Sequence, residues 1–417
     1  MPAQAGTPMR REMILRDMAR SINSAGSSWE VLRVFLVLGL RCFGGPVAHI
    51  GYFRDEFVVR RRWIDEHGFA DLVGLCQFLP GPASSQIGFA IGLLRAGYCG
   101  GIAAWCGFTL PSAVALVLFA GTLGAFAGPS GAALLHGLKL VAVAVVAQAV
   151  LGMARSLCPD RVRASIGLAA ALIVVSASSS AAQIAAILLG AVAGLLFVRG
   201  AAPRPAPSTL AFPVSRTAGA VALAAFFGIL AGVPVWRSLA DGSGLAHFEA
   251  FYRAGALVFG GGHVVLPLLH GAFVSRGWVD DRAFLAGYGA AQAVPGPLFT
   301  FAAYLGFLVS PQHRLSGAAL GLLGIFLPGV LVLVGALPFW GRLRERIAAQ
   351  AAMRGINAAV VGLLAAALYD PIWTTSIRGP GDFAIALAGF VLLTVWKAPP
   401  VVVVVCSAIA AMIVANG

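Results

Sequence analysis

The chain reads as an all-α polytopic membrane protein of two homologous halves, and three observations carry that reading. First, 59% of its 417 residues are hydrophobic and 11% charged, with a mean hydropathy of +0.89. A soluble protein has roughly a quarter of its residues charged. Second, apolar runs cover 100–124, 133–154, 164–198, 217–235 and 383–416. Each can hold a span of about 20 residues, and the longer ones two. Third, the chain repeats itself. Phe43-Gly44-Gly45-Pro46 and Phe78-Leu79-Pro80-Gly81-Pro82 answer to Phe259-Gly260-Gly261-Gly262 and Ala293-Val294-Pro295-Gly296-Pro297, at offsets of 216 and 215. Trp63 matches Trp278, Phe69 matches Phe284, Gln77 matches Gln292 and Pro111 matches Pro328 at offsets of 215 to 217.

In order along the chain, residues 1–28 form an N-terminal segment mixing Arg10, Arg11, Glu12, Arg16, Asp17 and Arg20 with few apolar residues. No clean apolar core of a cleavable signal follows, so it reads as an amphipathic surface helix or a tail. The first repeat, 29–198, holds two broken segments (29–53 and 69–96) and four plain spans (100–124, 133–154, 164–179 and 181–198). A Pro-rich linker, 199–216, is of low complexity. An extra span covers 217–235. The second repeat, 247–416, holds broken segments at 250–273 and 284–308 and plain spans at 315–340, 355–369, 383–396 and 398–416.

Net charge is +13. In a soluble domain that would suggest nucleic acid. Here the excess lies in loops between apolar segments, where it marks the cytoplasmic side and lipid headgroups. The N-terminal stretch and the loop carrying Arg54, Arg60, Arg61 and Arg62 are both strongly basic, yet a single crossing would separate them. If the broken segments dip in and return, both lie in the cytoplasm with the linker. This predicts two re-entrant hairpins per unit, bent at FGG and PGP, and nine full crossings. Span 217–235 is then the odd crossing that turns the second unit over and makes an inverted repeat, with a periplasmic C-terminus. Arg314 falls on the less favoured side. The alternative is about thirteen full crossings.

The breaks are also the candidate binding site. Broken backbone at membrane depth is tolerated only where it is buried in protein or lines a cavity, and paired breaks in two halves point to a transporter's site. A helix starting inside the membrane presents unpaired N–H donors and partial positive charge, suited to an anion. Gly44, Gly45, Gly81, Gly261, Gly262 and Gly296 allow close backbone approach. The polar run Ser84, Ser85 and Gln86 adds neutral donors, Thr300 occupies the register of Ser85, and Gln77 and Gln292 flank the PGP motifs. Kinks and close helix contacts are the plain alternative. Ionisable residues inside spans are functional candidates. Lys139, whose counterpart is Asn357, and Arg41 could neutralise an anion, whereas Arg33 suits snorkelling. His263, after the triple glycine, could donate to an anion or carry a proton; His49 lies nearer the loop and is weaker. Arg54, in the cluster running to Arg62, belongs to a loop helix with internal ion pairs or to an entry funnel for anions. The six cysteines show no C-x-x-C pair or zinc spacing, so no metal or cofactor is expected. No nucleotide, protease or esterase motif is present, and the chain does not read as an enzyme.

The stretch FGGPVAHIGYFRDEFVVRRRWIDEHGFADLVGLCQFLPGPASSQ, with FGGGHVVLPLL and AQAVPGPLFTFAAYLG later, resembles the chromate transporter family over residues 30–416. The resemblance implies a bacterial inner-membrane protein of the long, two-domain type that exports chromate and confers resistance to it. It also implies a relation to sulfate, the structural analogue of chromate. The family motifs fall on Phe43 to Pro46, Arg54, Glu56, Phe57, Trp63, Gln77, Pro80 to Pro82, Phe259 to His263, Gln292 and Pro295 to Pro297. The residues themselves reach only an anion-preferring secondary transporter. Sulfate or an organic acid as cargo, an anion channel with Gly-rich filters, and a homodimeric assembly stay open at this stage.

Overall fold

The structure is a computed structural model and describes residues 26–43, 45–123, 129–177, 180–198, 212–239, 243–259, 262–343 and 346–416. The expected N-terminal surface helix, most of the Pro-rich linker, and Gly44 and Gly261 lie outside the described residues. Every regular element described is helical. In the first half these are α1 Ser28–Arg41, α2 Gly45–Arg54, α3 Glu66–Phe78, α4 Ala83–Thr122, α5 Pro129–Leu157, α6 Arg161–Ala177 and α7 Ser180–Phe197. Next come α8 Arg216–Leu239, α9 Ser243–Ala256, α10 Val265–Phe273, α11 Asp281–Ala293 and α12 Phe301–Val309. The last are α13 Arg314–Ala336, α14 Ile347–Ala367, α15 Pro380–Thr394 and α16 Pro400–Asn416.

Each broken segment folds back as its loop charges predict. In the first unit, Glu30 near the start of α1 meets Arg61, beyond the end of α2, at 3.9 Å. It also meets Arg95, at the end of the first limb of α4, at 3.2 Å. Arg95 lies over the Trp63 ring at 5.1 Å. The start of the first hairpin, the loop between hairpins and the end of the second hairpin therefore share one base. Helix α4 is itself bent: Ala96 and Gly97 (φ +64°) leave helical geometry and split it into limbs 83–95 and 98–122. The limbs touch so closely that a Cβ on Gly92 or Gly100 would strike the other's carbonyl. Gly306 and Gly317 make the same contact in the second unit. Its base is marked by His247, near the start of α9, packed edge-on against Trp278 at 4.7 Å.

The two bases lie at opposite ends of the molecule. Limb 98–122 leaves the first base and ends with Phe119 stacked on Tyr304 at 6.0 Å; Tyr304 in turn donates to the Ala283 carbonyl at the second base. Helix α13 runs the other way. It starts with Arg314 over the Phe307 ring, and the short helix following it brings the Trp340 indole to Asp71 of α3 at 3.2 Å. Two antiparallel through-helices thus carry two hairpin pairs pointing at each other, which is an inverted repeat. The remaining helices form a second bundle in which the halves are interwoven. Helix α5 packs on α15 and α16, and α14 on α6 and α7. Small residues permit this: Gly137 meets Ser407 and Ala408, and Gly355 meets Gly190 and Gly194. Five described helices are long and apolar enough to cross a membrane; α6, α7, α15 and α16 are shorter, at 15 to 18 residues.

Candidate functional site

The four breaks meet, and they meet crosswise. The Gly81 N–H, in the first PGP, donates to the Val258 carbonyl, beside the second FGG, at 2.8 Å. The Gly296 N–H, in the second PGP, donates to the Cys42 carbonyl, beside the first FGG, also at 2.8 Å. Residues 42 and 258 are repeat mates, as are 81 and 296, so each unit's PGP closes the other unit's FGG. This is the self-complementary contact of a two-fold axis. Both glycines have positive φ, +118° for Gly81 and +102° for Gly296, which other residues rarely adopt.

This arrangement biases the centre towards anions. Four half-helices end at the breaks and four begin there. Each start carries about +0.5 charge and each end about −0.5. The reciprocal bonds occupy the Cys42 and Val258 carbonyls, at two of the negative ends. Two of the positive ends are seen to stay available. No side chain caps the helical starts after Pro82 or Pro297. The peripheral starts, in contrast, are capped by Ser27, Asp65 and Asp280. Unspent donors at the centre and spent donors at the rim are what an anion site needs.

Side chains complete the centre. His49, one turn into α2, is buried, with Nε2 3.2 Å from the Cys42 carbonyl and Nδ1 3.3 Å from Ser84 Oγ. A carbonyl only accepts, so Nε2 carries the proton, and in the neutral ring Nδ1 accepts from the Ser84 hydroxyl. One residue thus ties the first FGG to the first PGP and to the carbonyl that Gly296 caps. The Gln86 amide donates to the Pro80 and Gly329 carbonyls, both at 2.9 Å. Among the described residues, Ser85 Oγ and Gln86 Oε1 are buried at these breaks without a hydrogen-bond partner, and Gln292 Nε2 is buried beside the Tyr288 hydroxyl. Thr109 Oγ1, on the through-limb of α4, is also buried without a partner. An unsatisfied buried group costs about 1–3 kcal/mol, which a bound anion with its water could recover.

The residues expected from sequence fall into three groups. Gly45, Gly81, Ser84, Ser85, Gly296 and Thr300 lie at the breaks, but the Thr300 hydroxyl is spent on the Pro297 carbonyl at 2.8 Å. Gly262 begins the turn to His263, whose Nδ1 lies 2.8 Å from the Tyr288 hydroxyl, and Gln292 sits on the same helix α11. The rest stand off. Gln77 and Arg41 are exposed. Lys139 is buried in α5, where its nearby charges are Arg378, Asp281, Arg282 and Asp280, towards the second base. Asn357 lies on α14, its Oδ1 buried and unpaired. Arg54 makes a two-pronged pair with Glu66 at 2.7 and 2.9 Å at the first base. Its guanidinium holds the Glu66 carboxyl below its ordinary range. Sequence reasoning underrated His49: placed nearer the loop, it lies at the crossing, because α2 runs from the break outward and residue 49 is only four beyond Gly45. It placed Gln86 in the polar run with Ser84 and Ser85, but it missed Thr109, whose place is set by through-limb packing alone.

A family model described as chromate transporter matches residues 29–195 and 245–412, one match per repeat. A chromate transport protein of Pseudomonas aeruginosa is 30% identical over 89% of this chain and 88% of its own length. A probable chromate transport protein of Synechococcus elongatus is 26% identical over 95% of this chain and 98% of its own. A chromate transport protein of Cupriavidus metallidurans is 26% identical over 81% of each. No solved structure matches the chain. Doubled matches that coincide with the doubled breaks settle the family: the chain is a multi-pass membrane protein belonging to the chromate transporter family.

Proposed function

We propose that this chain is a secondary transporter that exports chromate across the bacterial inner membrane and confers resistance to it, with the crossed breaks as its anion site. The observation that carries this is the reciprocal pairing of Gly81 with Val258 and Gly296 with Cys42, beside helix starts after Pro82 and Pro297 that no side chain caps. A tetrahedral dianion must exchange its hydration shell for donors that diverge in space. Half-helix starts approaching from two sides, with Ser85 and Gln292, offer such donors. Sulfate has the same shape and charge and is the natural competitor. Outward flux needs no coupling ion in principle, since an interior-negative potential of 100 mV drives a dianion outward with about 4.6 kcal/mol.

Nine crossings with the N-terminus and the 199–216 linker in the cytoplasm follow from the loop charges. Lipid would contact outward-facing Leu168, Leu172, Leu188 and Leu195 of α6 and α7, all exposed. The test is chromate uptake into everted vesicles, with sulfate as competitor and an uncoupler to remove the potential. Saturable uptake dependent on this chain is expected, and vesicles that take up no chromate would sink the proposal.

A further inference from the structure

Repeat mates in this protein sit in opposite surroundings. On α11, Leu285, Gly289 and Gln292 form one stripe packed along α5. Leu285 is fully buried, a Cβ on Gly289 would strike the Leu138 carbonyl, and the Gln292 amide nitrogen is enclosed. Their counterparts on α3 are Ala70, Gly74 and Gln77. All three are exposed, and nothing lies within 4 Å of a Cβ on Gly74. Helix α3 has no packing on α14 to match that of α11 on α5. The same contrast holds for the hairpins' other arms. The Pro267 carbonyl accepts from Gln183 of α7 at 3.2 Å, whereas its mate Gly51 is exposed with open space around it.

Gly74 and Gly289 are the same residue, and so are Gln77 and Gln292, so side-chain chemistry does not explain why one stripe is covered and the other bare. A difference in state does. We infer that the structure is one end of an alternating-access cycle and that the other end is its image under the repeat. In this state the crossing is sealed on the second unit's side by α11 against α5. It opens to the first unit's side along Ala70, Gly74 and Gln77. In the other, α3 closes on α14, with Gly74 against Ile356, the repeat mate of Leu138, and α11 parts from α5. The two seals are alike enough to be close in energy, as a cycle requires. Leu285 in place of Ala70 weights the balance towards the state seen. This inference rests on the chain being a carrier but not on which anion it carries.

The decisive variant is Gly74→Trp. The indole enters open space, so the chain is expected to fold and melt normally, but the opposite seal can no longer form and flux falls at least tenfold. Full transport by Gly74→Trp overturns the inference. A second arm reads the motion with no anion present. In an otherwise cysteine-free chain, Leu285→Cys should react with a membrane-impermeant maleimide from the second unit's side only, and at least fivefold less once Gly74→Trp is added. A Leu285→Cys that stays unreactive from both sides in a transporting chain also overturns it. If labelling alternates but chromate does not move, the choice of cargo fails and the cycle stands.

Discussion

His49 joins the Cys42 carbonyl to the Ser84 hydroxyl, so its loss leaves the buried Ser84 hydroxyl without its acceptor, while the Cys42 carbonyl keeps the Gly296 N–H. His49→Ala should cost about 1–3 kcal/mol of stability and lower chromate flux at least tenfold. Ser84→Ala should share that loss, and the double variant should be no worse than the more damaging single one, because both remove one coupled interaction. Additive effects in a double-mutant cycle on flux would separate the two residues. The two PGP glycines make a second contrast. Both need positive φ, so either alanine strains the backbone by roughly 1–3 kcal/mol. A Cβ on Gly81 would meet the Gly329 Cα at 2.9 Å, while one on Gly296 would meet Ser112 Oγ at 2.8 Å. Backbone cannot yield as a hydroxyl can. Thermal unfolding should therefore rank Gly81→Ala below Gly296→Ala, and Ser112→Ala should partly restore only the latter.

Each unit's two hairpins share a polar pair at equivalent positions of the base. Arg54–Glu66 serves the first unit, and its repeat mate His270–Asp281, at 2.7 Å, serves the second. The repeat keeps the latch while changing its chemistry. The Glu66 carboxyl is held below its ordinary value by Arg54. Its contribution is therefore complete above the usual carboxylate range near 4 and is lost as pH falls through the depressed value. Arg54→Ala should be less stable than the parent at pH 7, with the gap narrowing as pH falls below the ordinary carboxylate range and in high salt, since the pair is solvent-exposed. A gap that does not narrow on acidification would mean that Arg54 acts by packing. Sequence showed the half-helices through their Gly and Pro punctuation and the Trp63–Trp278 correspondence. The boundary between segments 69–96 and 100–124 likewise falls at the bend of Ala96–Gly97, where Arg95 and Gly97 interrupt the apolar run.

At the scale of the whole molecule, opposed hairpin pairs place the loops 54–62 and 276–282 on opposite faces. Single cysteines in the two loops should label from opposite sides of oriented vesicles, and labelling of both from one side would contradict the inverted arrangement. Composition, the offset repeat and loop charge determined the fold class, the two units and the positions of the four breaks, because those depend on local chemistry: glycine's φ, proline's missing donor and the cost of charge in lipid. Only the tertiary structure decided that each PGP pairs with the other unit's FGG, that His49 stands at that crossing while Lys139 and Arg54 do not, and that one of two equivalent stripes is covered. Those outcomes join residues some 150 to 250 positions apart across packed helix faces. Two like sequences fit either side of such an interface equally well, so pattern alone holds no preference between them.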